Sequence, residues 1–158
     1  RRPQNNLVRQ NLLALQSIVA HGCMVTAGMV VTHLGITKGI MDENYRLLEE
    51  IVSTHPDTFA ALDFGPLCPL PGSQSFRYLT NPEIAETKAV NLGLRVNRLY
   101  LETIKEKYQT VDCFDMDEMN HDFIEGCCPD IDQGVVNDQV SRITDLANRY
   151  NIVVGGGV

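Results

Sequence analysis

Two side chains that could do chemistry stand at the ends of apolar runs. His33 follows "GMVVT", and Asp63 interrupts "FAALDF". A histidine there could contact a cofactor or transfer a proton, although a hydrogen-bonded histidine at a strand end is the more common case. A buried carboxylate needs partners and would mark a site, whereas an aspartate at a strand rim faces water. Both are candidates whose role depends on the elements that position them.

The five cysteines suggest a second kind of chemistry. Cys113, Cys127 and Cys128, together with His121, could hold a metal ion or an auxiliary cluster, but the Cys-x-x-Cys spacing of ordinary zinc sites is absent. Adjacent cysteine side chains diverge, so structural thiols are the simpler interpretation. Cys68 lies in a proline-rich loop and is a candidate reactive thiol, without a neighbouring base in the sequence.

The length and composition are typical of one globular domain with a hydrophobic core. The 158 residues are 44% hydrophobic and 21% charged, with a formal net charge of −7. The absence of a basic run argues against nucleic acid as a partner, and no apolar run approaches the roughly 20 residues that span a bilayer. An odd number of unevenly spaced cysteines is typical of reduced thiols, which favours a cytoplasmic location.

The first half of the chain alternates helix and strand. Apolar spacing predicts a helix over 5–20, and the near-continuous apolar character of 23–34 predicts a strand buried on both faces. An acidic amphipathic helix ends at Thr54, and a second strand covers 59–65. This order is typical of parallel βα units, in which ligands bind at the carboxyl ends of the strands.

The second half is predicted to be mainly helical. Asn81 begins a long helical tract that reaches about Gln109 and bends at Gly93, and Asp115 caps a shorter helix. A last amphipathic helix precedes the strand-like tail "NIVVGGGV". Its glycines could let backbone amides approach an anion, but a strand-end loop is the simpler interpretation. Because the sequence lacks an initial Met and ends at this junction, we expect it to be part of a longer protein.

Two stretches carry a resemblance to a known family. The strand "GMVVTHLG" is followed by an acidic helix, and the later loop "PLPGSQSF" fits the pattern P-x-P-G-[ST]-x-x-[FY]. In these features the segment from Arg9 to Leu79 resembles the later part of a radical S-adenosylmethionine (radical SAM) enzyme barrel. The resemblance implies an α/β fold, with a partial (β/α) barrel of parallel βα units over 1–79 and a mainly helical C-terminal extension over 80–158.

The resemblance also implies a function. Enzymes of this family use a [4Fe–4S] cluster to cleave SAM, and the resulting radical abstracts hydrogen from a small-molecule substrate, as oxidoreductases or methyltransferases. The residues implied to contact the cofactor are Thr32, His33, Gly35, Asp63 and Pro66. Those implied to line the substrate pocket are Cys68, Pro71 and Gly72. The spacing and the helical tail look most like cobalamin-associated members, such as anaerobic porphyrin cyclases and radical methyltransferases.

The sequence departs from the family at the cluster and on the first strand. The cluster-binding Cys-x-x-x-Cys-x-x-Cys is absent, so we expect an upstream half of the same polypeptide to supply it and the chain alone to be inactive. Thr32 and Ile36 stand where the family usually has a glycine and an acidic residue. The SAM contacts on this strand are therefore expected to be atypical or made by the backbone.

Two other interpretations stay open. The chain could be a non-catalytic α/β interaction or ligand-binding module. A complete (β/α) barrel enzyme of another kind is disfavoured, because such barrels need about 250 residues. An incomplete barrel would expose strand edges, so we expect the chain to form a homodimer.

Overall fold

The computed structural model describes residues 4–110 and 114–155, and the side chains from residue 9 onward. Seven α-helices and three β-strands lie in this part of the chain, and a single 3₁₀ turn, Pro56–Thr58, precedes the second strand. Their order is α1 (Gln4–Ala20), β1 (Val25–Val30), α2 (Lys38–Thr54), β2 (Phe59–Gly65), α3 (Gln74–Thr80), α4 (Pro82–Asn91), α5 (Arg98–Thr110), α6 (Met116–Cys127), α7 (Gln133–Arg149) and β3 (Val153–Gly155). The predicted α/β class is confirmed, and the protein is mostly helical.

The three strands form one parallel sheet in the order β1–β2–β3. Helix α2 connects β1 to β2, and the five helices α3 to α7 connect β2 to β3. In the register of the sheet, Gly28 of β1 lies opposite Asp63 of β2, which lies opposite Gly155 of β3. The prediction of parallel strands is confirmed, and β1 and β3 are the edges of the described sheet.

Strand β1 is covered on one face only, so the prediction that it is buried on both faces is wrong. Its residues alternate between half-buried and exposed, and the exposed ones are Thr26, Gly28 and Val30. Helices α1, α2 and α7 lie over the opposite face, where Leu62 and Phe64 of β2 are buried. The physical reason is that these helices share one side of the sheet, which leaves an open face in the described chain.

The long helix predicted from Asn81 is two helices, α4 and α5, separated at Gly93. Asn81 caps α4 as predicted, and its side-chain oxygen accepts a hydrogen bond of 3.2 Å from the amide of Ile84. Gly93 has a φ of +69°, and the amide of Leu94 donates to the carbonyl of Ala89 at 2.8 Å. This 6→1 bond behind a left-handed glycine is a Schellman motif, which ends a helix rather than bending it.

Helices α5 and α6 cross closely in the helical part of the core. A Cβ on Gly126 of α6 would lie 2.4 Å from the Cδ2 of Leu101, so any larger residue at this position would displace the Leu101 side chain. Leu101 and Phe123 lie on the two crossing helices and are fully buried, and so is Leu79 of α3. The third, fifth and sixth helices therefore share one apolar core.

Helix α7 returns the chain to the sheet. Arg142 of α7 donates to the carboxylate of Asp42 at 2.6 Å, and its guanidinium lies 4.1 Å from the ring centroid of Tyr45. The buried Gln139 donates to the backbone carbonyl of Met41 at 3.1 Å. Helix α7 thus packs on α2 and leads directly into β3. The regions before and after residue 80 therefore both contribute strands to one sheet.

Candidate functional site

The loops at the carboxyl ends of β1 and β2 are joined by a buried hydrogen bond. The Oγ1 atom of Thr32 accepts from the backbone amide of Leu67 at 2.7 Å, and Thr32 is fully buried. One residue earlier, the amide of Val31 donates to the carbonyl of Gly65 at 2.9 Å. Thr32 therefore fixes the start of the proline-rich loop, which we call the rim loop and define as residues 65–73.

The loop after β1 is held by the helical region. The thiol of Cys128 donates to the carbonyl of His33 at 3.2 Å, and the amide of Gly35 donates to the carbonyl of Cys127 at 2.7 Å. Gly35 has a φ of +68°, and a Cβ added there would lie 2.6 Å from the Cβ of Leu94. Thr32, His33 and Gly35 are the predicted cofactor contacts on this loop. Of these three, His33 is exposed to solvent and the other two are buried.

The paired cysteines at the end of α6 are buried thiols. Burial raises the pKa of Cys128 to about 12, and burial followed by the neighbouring Cys128 thiol raises the pKa of Cys127. Both side chains are therefore protonated at neutral pH. His121 of the suggested metal group is exposed, and Cys113 lies outside the described residues. Within 4–110 and 114–155, no group of three or more His, Cys, Asp and Glu side chains is arranged to hold a metal ion.

Asp63 stands on the open face of the sheet between two glycines. It is exposed, and its neighbours on the adjacent strands are Gly28 on one side and Gly155 on the other. A Cβ at Gly155 would lie 3.3 Å from the Cβ of Asp63, whereas a Cβ at Gly28 would meet no atom within 4 Å. Glycine inside a strand often marks a place where a ligand approaches the backbone closely. Asp63 therefore has free space on its β1 side, at Gly28, and lies close against Gly155 on its β3 side.

The rim loop divides the remaining predicted residues between two environments. Pro66 and Cys68 are half-buried, and the Cys68 thiol donates to the Met116 sulfur of α6 at 3.5 Å. Burial raises the pKa of Cys68, which disfavours a reactive thiolate. Pro71 and Gly72 are exposed, and Gly72 adopts a φ of +87°. The inner part of the loop thus faces α6, and its tip faces solvent.

A buried carboxylate that sequence reasoning missed joins α5 to α6. Asp122 is 4% exposed and accepts hydrogen bonds from Tyr100 at 2.5 Å, from Lys107 at 2.7 Å and from Tyr108. Burial is the largest influence on its pKa and raises it, but the bonds from Lys107, Tyr100 and Tyr108 together bring the pKa below its usual value. Since Lys107 also pairs with Glu118, the cluster is fully hydrogen-bonded and acts as a structural lock.

A signal for Asp122 was present in the sequence. It directly precedes Phe123 and Ile124 and lies three residues after Met119, and all three of these are buried apolar residues of α6. A carboxylate next to the apolar stripe of a helix needs a cationic or hydroxyl partner. Its partners come from the preceding helix, and no sequence pattern indicated how α5 and α6 are oriented.

Comparison of the chain with models of protein families, with curated proteins and with solved structures finds no match. Among the residues that the structure describes, no helix combines the length and apolar character needed to cross a membrane. The candidate site is therefore defined by its own geometry: an exposed aspartate between two glycines on the open face of a parallel sheet, next to the rim loop.

Proposed function

We propose that the open face of the sheet forms one wall of a small-molecule pocket in a radical SAM enzyme barrel. Three features support this: the parallel βα arrangement, the rim loop that follows β2, and the resemblance of both segments to that family. Small-molecule sites of parallel α/β folds lie at the carboxyl ends of the strands. Asp63 is the third residue from the carboxyl end of β2.

The observation that carries the proposal is the placement of Asp63 between Gly28 and Gly155. Gly28 leaves the backbone of β1 uncovered beside Asp63, and the carboxylate supplies a negative charge. SAM carries a sulfonium cation and an ammonium group, either of which would pair with a carboxylate. The charge and the free space beside Asp63 therefore suit the proposed cofactor.

The other predicted cofactor contacts suit a supporting role. The hydroxyl of Thr32 is engaged by Leu67, and Gly35 is packed against Leu94, so direct contacts would come from Asp63 and the exposed His33 ring or from the backbone. When bound, the cofactor and its cluster supply the radical chemistry. The residues of this chain would bind and orient the small molecule and exclude water from one side.

The [4Fe–4S] cluster does not fit the cysteines of this chain that the structure describes. Cys23 is exposed before β1, Cys68 lies in the rim loop, and Cys127 and Cys128 are buried, protonated thiols at the end of α6. We therefore assign the cluster to an upstream half of the same polypeptide, which would pair with the free edge of β1. Cobalamin use and the choice between oxidoreductase and methyltransferase rest on the resemblance alone. The free thiols of the described cysteines support a cytoplasmic location.

An NMR titration of the ¹⁵N-labelled chain with SAM tests this proposal. We expect the amide shifts that change with SAM to cluster at Gly28, Asp63 and Gly65 and along the rim loop, even where binding is only millimolar. S-adenosylhomocysteine, which lacks the sulfonium charge, should cause smaller shifts at the same amides. Shifts confined to other parts of the chain, or no shifts, would contradict the proposal.

A second function, that of an interaction module, is favoured by the edge of β1. The stretch 23–32 contains no charged residue and no proline, the features with which proteins usually protect an edge strand. Met24 is 65% exposed and Val30 is 56% exposed. The edge is therefore suited to pairing with another strand, and a second copy of β1 related by a two-fold axis would satisfy both edges at once.

Sedimentation velocity measures this association directly. We expect the chain to form a concentration-dependent dimer and the Val30→Lys variant to be monomeric, because a lysine on the edge strand disfavours strand addition. Val90→Lys is the matched control, since Val90 is 67% exposed on α4, away from the sheet. A monomeric wild-type chain, or equal dimerisation of all three proteins, would rule out pairing through β1.

A further inference from the structure

A large apolar cavity lies between the sheet and the helices that cover it. Its volume is about 500 Å³, within the range of about 300–1,000 Å³ that is typical of small-molecule pockets. Its walls come from five elements, α1, β1, β2, α2 and α7. Representative wall residues are Leu15, Ala27, Ile51, Phe64 and Ile143.

The side chains that the structure describes, from residue 9 onward, do not fill this cavity. Leu15 and Ile18 point from α1 toward the sheet, yet both are only half-buried. Ala27 and Met29 on the facing strand are half-buried as well, although they lie under a helix. Protein interiors are normally packed as densely as organic crystals. A cavity of this size between a helix and a sheet is therefore suited to an apolar occupant.

The chemistry of the lining restricts that occupant. Among the described residues, the lining contains no lysine, arginine or histidine, and its polar members are the side-chain amides of Asn11 and Asn44 together with Asp63. Both asparagines are exposed, so their amides lie at the solvent side of the cavity. An anionic head group would find no cation among these described lining residues, and the chain as a whole carries a net charge of −7.

We propose that this cavity binds an uncharged amphiphile, with an apolar chain between α1 and the sheet and a hydroxyl or amide head group at Asn11 and Asn44. The apolar walls would cover the chain, and the asparagine amides can both donate to and accept from the head group. Gly28 and Asp63 of the proposed SAM wall also border this cavity, but the residues that would hold the apolar chain, such as Leu15, Ile18 and Ile51, lie on the helices over the covered face. A test that reads out these helix residues is therefore distinguishable from the test of the SAM proposal.

Decan-1-ol is the probe, and decanoate of the same chain length is its charged counterpart. At tenfold its Kd, decan-1-ol should raise the Tm of the full chain by about 3–6 °C. Decanoate at the same concentration should raise it less. In ¹³C-methyl NMR spectra, the signals of Leu15, Ile18 and Ile51 should shift with decan-1-ol, while those of Leu13, which is 54% exposed on the same helix, should not.

The Ala27→Leu variant tests the location. The larger side chain should occupy part of the cavity, raise the Tm without ligand and reduce the response to decan-1-ol. Ala61→Leu is the matched control, because Ala61 lies on the opposite face of the sheet, in register with Thr26. An unchanged wild-type Tm and unchanged methyl signals in decan-1-ol would overturn the proposal, whether or not Ala27→Leu folds. An equal or larger response to decanoate would overturn the assignment of an uncharged head group.

Discussion

Replacing Thr32 with valine should release the rim loop from the strand before it. Valine has nearly the shape of threonine but cannot accept the 2.7 Å hydrogen bond from the amide of Leu67. An unsatisfied buried donor costs about 1–3 kcal/mol. Leu67 is half-buried, so water can partly replace the lost acceptor, and we expect a loss of about 1–2 kcal/mol. For a chain of this length, that loss lowers the Tm by about 2–8 °C.

The assay that isolates this bond is hydrogen exchange at the Leu67 amide. In Thr32→Val the amide should exchange about 5- to 30-fold faster, the factor that corresponds to the expected free energy. Thr32→Ser is the control, because it keeps the hydroxyl and removes only a buried methyl group, at a cost of about 1 kcal/mol. Both variants lower the Tm, but Thr32→Ser should leave the protection of Leu67 close to that of the wild type.

Wild-type protection of the Leu67 amide in Thr32→Val would contradict the role assigned to this hydrogen bond. That result would mean that the loop is held by its prolines and by its contact with α6, and that Thr32 contributes only volume to the core. Equal loss of protection in the serine variant would likewise show that the methyl group, and not the hydroxyl, holds the loop.

Two further variants test the helical frame of the site. Asp122→Asn should lower the free energy of unfolding, measured in urea at neutral pH, by about 2–3 kcal/mol. This is less than the ~3–5 kcal/mol lost when a fully buried ion pair is broken, because Lys107 is part-exposed and still pairs with the carboxylate of Glu118. Because the pKa of Asp122 is lowered in the folded protein, its contribution is complete above about pH 4 and is lost as the pH falls through the folded value, so the asparagine variant should have a flatter acid limb. Gly35→Ala should cost about 2–4 kcal/mol, from a left-handed φ and from the clash with Leu94, whereas Gly22→Ala, with a φ of +65° and no atom within 4 Å, should cost only about 1–2 kcal/mol. Equal losses at Gly35 and Gly22, or an acid limb that Asp122→Asn leaves unchanged, would count against these assignments.

Local sequence signals predicted the elements of this fold well where they depend on a few neighbouring residues. Asn81 and Asp115 were identified as helix caps, and each accepts backbone hydrogen bonds at the start of its helix. The strand over 59–65 has the bounds that the apolar run indicated. Caps and strand runs are predictable because their hydrogen bonds and side-chain preferences lie within a few residues.

The features that could not be predicted depend on contacts between distant segments. The apolar run around β1 predicts burial on two faces, but the helices over the sheet share one side, and side-chain type alone does not reveal this. The pairing of Asp63 with Gly28 and Gly155 depends on the register of three strands separated by helices. The partners of Asp122 likewise come from the crossing of α5 and α6. The barrel, the cofactors and the site roles drawn from the resemblance stay predictions.

The proposed contact between Asp63 and a bound cofactor is tested by the affinities of three proteins for SAM. The wild type, Asp63→Asn and Asp57→Asn would be compared by NMR titration. Asp57 is the control, because it is exposed in the 3₁₀ turn at the amino end of β2, the opposite end of the strand. We expect Asp63→Asn to raise the Kd about two- to fivefold, which is the contribution of one exposed ion pair, and Asp57→Asn to leave the Kd unchanged. Equal affinities for all three proteins, or a loss only in Asp57→Asn, would contradict the proposed contact.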